Sequence, residues 1–128
     1  MANIQLLTAA TATNNKPTLI TDGVSVSDIA GHDTGLITLK STAGSATMTV
    51  TCRLWGWASA AAKWFPMGVG VDTTKGTINE GTAIDEDTAD ELAHCEKVTG
   101  LRLFSRYYME ITAIGGTATA VSCWIEVP

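Results

Sequence analysis

A chain of 128 residues with a formal net charge of −5 is of the size of one domain with one hydrophobic core. Hydrophobic residues make up 45% and charged residues only 16%, which excludes a disordered polyelectrolyte. The acidic balance and the scattered Arg53, Arg102 and Arg106 leave no basic stripe for a nucleic acid, and no apolar run approaches the ~20 residues of a membrane helix.

Residues 1–16 are small and polar apart from Ile4–Leu7, and the start lacks the basic region of a signal peptide. They predict an extended N-terminal arm, or a short edge strand leading into one, with Ile4, Leu6 and Leu7 as its apolar contacts. Residues 17–128 are then a single domain. Pro17 opens a short strand, PTLITDG, closed by Asp22-Gly23, and VSVSDIAG alternates Val24, Val26 and then Ile29. In TGLITLKSTAG, Leu36, Thr38 and Lys40 share one face and Ile37 and Leu39 the other. The same period of two divides TMTVTCRLWGWASA, residues 47–60. Met48, Val50, Cys52 and Leu54 face the core; Thr49, Thr51, Arg53, Trp55 and Trp57 face away.

KWFPMGVGV carries Pro66 in its middle, so it is an edge or bent strand. TINEGTAIDEDTADE is an acidic surface loop. Residues 87–97 suit either a short helix or a strand from about His94, and loop followed by strand is expected. LRLFSRYYMEITAI puts Leu101, Leu103, Tyr107, Met109 and Ile111 inside, with Arg102, Phe104, Arg106, Tyr108 and Glu110 outside. Gly115-Gly116 signals a hairpin. The returning strand buries Val121, Cys123, Ile125 and Val127 and turns Trp124 and Glu126 outward.

About seven to eight short strands predict an all-β chain, an antiparallel β-sandwich or jelly roll. Its outward faces carry Arg53, Trp55, Trp57, Phe104, Arg106, Tyr108 and Trp124. Aromatic residues and Arg with little Lys are the composition of a protein interface. In the competing reading the inside and outside of one strand are reversed, and the aromatics face the core between the two sheets.

No motif carries reaction chemistry. In HDTG, residues 32–35, the Asp-Thr-Gly of pepsin-like proteases lacks the flanking residues those sites need, and an Asp-closed turn explains it. GVGVDTTKGT, residues 68–77, has Lys75-Gly76-Thr77 where a phosphate loop needs Gly-Lys-Ser/Thr before a helix. The acidic run 85–96 lacks the sharp-turn Gly of a calcium loop and is expected to be solvated. His94 and Cys95 are neighbours on one strand and point apart. The 3 cysteines, Cys52, Cys95 and Cys123, are an odd count and suit free thiols. No catalytic, cofactor or metal residue is predicted.

The Thr/Ala-rich leading segment, the short strands and the ending VTGLRLFSRYYMEITAIGGTATAVSCWIEV resemble small structural proteins of tailed-phage virions, the head decoration (cement) proteins and related jelly-roll proteins. The resemblance implies a non-enzymatic β-sandwich protomer, usually a homotrimer, located in the virion. It implies an arm that reaches over the major capsid protein or another virion protein. A head-completion, collar, tail or head-fibre-base component is the neighbouring alternative. A carbohydrate-binding β-sandwich, with exposed Trp and Tyr stacking on sugar rings, is the alternative from another class.

Overall fold

A computed structural model of the chain describes residues 2–42, 49–67, 77–80, 91–115 and 119–128. Its strands are β1 (Ala2–Ala10), β2 (Val24–Ser25), β3 (Thr34–Thr42), β4 (Thr49–Ala58), β5 (Lys63–Pro66), β6 (Thr77–Glu80), β7 (Glu91–Thr99), β8 (Arg106–Gly115) and β9 (Thr119–Val127). Three short 3-10 turns, Ile20–Asp22, Ser27–Ile29 and Leu101–Leu103, lie between them.

Every pairing is antiparallel and the pairs nest: β1 with β9, β2 with β8, β3 with β7, and β4 with both β5 and β6. Folding that ribbon over itself yields two sheets, one in the order β1-β9-β3-β7 and one in the order β2-β8-β4-β5, with β6 beside β5 along the same edge of β4. With β5 and β6 counted as one interrupted strand, this is the jelly-roll order.

The core lies between the sheets, where the period-two pattern placed it. Val50, Cys52 and Leu54 of β4, Tyr107, Met109 and Ile111 of β8, Ile37 and Leu39 of β3, and Val121, Cys123, Ile125 and Val127 of β9 are all buried. Each aliphatic side chain so buried contributes about 1.5–3 kcal/mol. Cys52 and Cys123 are buried and form no disulfide, small apolar side chains in effect. Burial pushes the Cys123 thiol pKa well up, and the neighbouring Cys52 adds to the shift.

Six expectations are corrected. Residues 2–10 are no free arm: β1 pairs with β9 from Ala2–Val127 onward, and Ile4 and Leu7 enter the common core. The edge-strand alternative holds there: the register shift between Gln5 and Leu7 lets Ile4 and Leu7, three residues apart, both face the other sheet. PTLITDG is no strand; its carboxylate at Asp22 draws the chain into a 3-10 turn by accepting from the Thr18 and Leu19 amides at 2.9 and 2.8 Å. Thr77–Glu80 is strand rather than loop, and β7 begins at Glu91 rather than near His94. Leu103 is exposed, because Gly100 at φ 79° starts a 3-10 turn there in place of a strand. Gly115-Gly116 joins no hairpin, because β8 belongs to one sheet and β9 to the other and the two strands do not pair. Met48, Gly116, residues 68–76 and residues 81–90 of the acidic run lie outside the described residues.

Candidate functional site

The predicted interface residues do not form one patch. Ile4 and Leu7 are core, and Leu6 is half-buried against it. Phe104, expected outside, turns inward at the sandwich end. It fills the space above Gly56, where an added Cβ would overlap the Phe104 ring, and meets Tyr107 edge-on at 6.1 Å. Arg53, Trp55, Trp57, Arg106 and Tyr108 do share the outer face of the five-stranded sheet. Cross-strand register sets Arg53 beside Glu110, Trp55 beside Tyr108 and Trp57 beside Arg106. Trp124 stands alone on the opposite side of the molecule, on the outer face of the four-stranded sheet.

The first of these faces is closed by the chain itself. The β4–β5 hairpin sets Trp64 directly opposite Trp57, and the two indoles meet edge-on at 5.4 Å. Residues 14–23 then cross this face as a strap. Asn14 stands in for a missing strand along β8: its amide donates to the Ile111 carbonyl at 3.4 Å, its Nδ2 to the Met109 carbonyl at 3.2 Å, and its Oδ1 accepts from the Ile111 amide at 2.7 Å. Tyr108 donates to the Asn15 carbonyl at 2.6 Å, Trp64 Nε1 to the Leu19 carbonyl at 3.0 Å, and Arg106 to the Gly23 carbonyl at 3.1 Å. Gly23 is required by contact, since a Cβ there would overlap Trp64. Trp55 Nε1 donates to Glu110 at 3.0 Å. As a result Trp57 is only 9% and Trp64 only 6% exposed. Burial, then Asp22 and Glu110, raises the Tyr108 pKa. The faces of β4 and β8 are not reversed, since Val50, Cys52, Leu54, Met109 and Ile111 point into the core; the aromatics lie on the outer face as expected and are covered there by the chain's own residues. Trp64 and the strap were missed. The signal was the hairpin register, which places Trp64 across from Trp57 once residues 59–62 are taken as a turn.

The outer face of the four-stranded sheet has no such strap among the described residues. Two cross-strand rows run over it, Cys95–Thr38–Trp124–Gln5 and Lys97–Leu36–Glu126–Asn3. Trp124 is half-buried, and Leu36 keeps 45% exposure despite its apolar side chain. A shallow depression of about 540 Å³ is lined by Asn3, Thr38, Lys40, Cys95, Trp124 and Glu126.

Asp33 of the Asp-Thr-Gly motif is a structural tie. Its carbonyl accepts from Leu101 N at 3.0 Å and its Oδ1 from Arg102 N at 3.3 Å, tying the start of β3 to the turn that follows its neighbour β7. Cys95 is exposed opposite Thr38, while His94 takes the next register position, opposite Leu39. Among the described residues, no three His, Cys, Asp or Glu side chains converge as a metal site. Comparison with known proteins finds no family model, no curated protein and no solved structure that matches the chain.

Proposed function

We propose that this chain is a non-enzymatic structural protein of virions, a decoration (cement) protein that binds copies of itself and the major capsid protein on the outer head shell. The observation that carries the proposal is the contrast between the outer sheet faces. One aromatic face is sealed by residues 14–23, whereas the other leaves Trp124 and Leu36 partly in water. An apolar surface left open beside a well-made core is what an assembly contact needs. The jelly-roll order supports a virion setting by fold analogy, since capsid domains use it, though lectin domains do as well. With β1 docked in its own sheet, grip on a shell comes from this face and the sheet edges, repeated over many copies, rather than from a free arm.

The deciding experiment is to purify the particles whose genome encodes the chain and count its copies by quantitative mass spectrometry. A fixed stoichiometry to the shell protein, with particles lacking the chain losing resistance to heat or osmotic shock, is expected. Particles that contain none of it would end the proposal.

A second reading, a carbohydrate-binding module, is favoured by one arrangement: the Trp124 ring is flanked by the hydrogen-bonding side chains of Asn3, Thr38, Lys40 and Glu126. Its mark is quenching of Trp124 fluorescence on titration with soluble oligosaccharides, abolished by Trp124→Ala.

A further inference from the structure

We infer that the outer face of the four-stranded sheet is a twofold contact between two copies of this chain. The inference rests on the reading of that face as an assembly surface and names its first occupant. Lys40 and Glu126 are the charges that make the face self-complementary. Thr38 and Trp124 are directly opposed on adjacent strands; Lys40 lies two residues beyond Thr38 on β3, opposite Ser122, and Glu126 lies two residues beyond Trp124 on β9, opposite Leu36. The two charges therefore flank the Thr38–Trp124 pair on opposite sides, and both border the same depression.

For two sheets to meet face to face, the twofold axis must lie in the contact plane. An axis crossing midway between Lys40 and Glu126 runs close to the Cys95–Thr38–Trp124–Gln5 row. It sets each copy's Lys40 over the other's Glu126 and brings the two Trp124 rings together at the centre. Aromatic residues at the centre, with charge pairs around them, form the usual anatomy of a specific contact.

The alternatives on the molecule fit less well. The five-stranded face is already covered by residues 14–23, so no second copy can reach Trp57 or Trp64 there. In size, strands of 9 residues at a spacing of roughly 4.8 Å and a rise of roughly 3.3 Å make the four-stranded face about 19 by 30 Å. Side-chain relief brings this towards the ~800 Å² per partner of a standard interface, at its small end. The pair is therefore a weak one that forms and falls apart with concentration.

The test is the molar mass of the purified full chain by sedimentation equilibrium, over a concentration series, with circular dichroism confirming the fold of each variant. The expected mass rises from 13.4 kDa towards twice that value. Lys40→Glu and Glu126→Lys each weaken association by about tenfold or more, and the double exchange restores it, as for any opposed charge pair. A chain that stays at one copy throughout overturns the inference, as does a threefold mass. Association indifferent to both charge reversals does the same. Monomers whose Trp124 fluorescence responds to oligosaccharide overturn it in favour of a sugar platform. None of these results bears on whether the chain is found in particles, so this inference and the virion proposal fail separately.

Discussion

The two outer faces of the sandwich present the same kinds of residue and meet opposite fates. On the five-stranded sheet, Trp57, Trp64 and Tyr108 lie beneath a strap whose carbonyls at Asn15, Leu19 and Gly23 accept from Tyr108, Trp64 and Arg106. On the four-stranded sheet, Trp124 stands between Thr38 and Gln5 with Leu36 nearby, and its ring is only half-covered. The difference teaches that an outward aromatic is an interface residue only if the chain has no segment of its own to lay over it. A strap needs polar side chains at the outer face that can satisfy its backbone, and the first face supplies three donors. The second also carries hydrogen-bonding side chains, at Asn3, Thr38, Lys40 and Glu126, but among the described residues no segment of the chain lies over them.

The sharpest break of this comparison is a pair of truncations. Trp64→Ala removes a nearly buried ring and a hydrogen bond, and is expected to cost about 3–5 kcal/mol in urea unfolding. Trp124→Ala in dilute protein should cost less, about 1–2 kcal/mol, because part of that side chain stays exposed. Equal losses would mean that both faces are core. Asn14→Ala comes next, at about 1–3 kcal/mol, since it leaves the Met109 carbonyl and the Ile111 amide without their side-chain partner. Faster hydrogen exchange at the Ile111 amide is its local signature.

The alkaline limb sharpens the comparison further. The Tyr107 hydroxyl donates to the Leu101 carbonyl at 2.7 Å inside the core. Burial first, then Asp33, raises its pKa far above the ordinary value of 10.0. Above roughly pH 10 the unfolded chain releases that proton while the folded chain keeps it, so stability falls as pH rises. Tyr108 shifts in the same direction. Unfolding midpoints from pH 8 to 11 should fall, and Tyr107→Phe should flatten the fall while lowering stability at pH 8 by about 1 kcal/mol.

The smallest effect belongs to the strap's exposed turn. The Thr18 and Leu19 amides hold the Asp22 carboxyl below its ordinary 3.8, so its contribution is present above that value and disappears as pH falls through the folded one. Asp22→Asn should lower the thermal midpoint slightly at pH 7, with the difference from the parent chain vanishing in acid.

The faces of β4, β8 and β9 were legible because alternation is local. Val50, Cys52 and Leu54, or Val121, Cys123 and Ile125, point the same way whatever the strand pairs with. Leu103 was misassigned because the alternation was started at Leu101, inside the Leu101–Leu103 3-10 turn, whereas the strand begins only at Arg106. The glycines after β8 suggested a hairpin, yet their neighbours sit in different sheets. Of the residues singled out for contact, Trp124 lies on the open face and Trp57 under the strap, and nothing in their immediate neighbours distinguishes them.

The amino-acid order alone determined an all-β chain, its strands of period two and the inward side of its longest ones, because side-chain direction on a strand depends only on the strand. The tertiary structure decided which strands share a sheet, that the leading segment is an edge strand, and which aromatics stay wet. Those outcomes depend on contacts such as Asn14 with Ile111 and Trp64 with Leu19, made between residues far apart along the chain, and no local period records them.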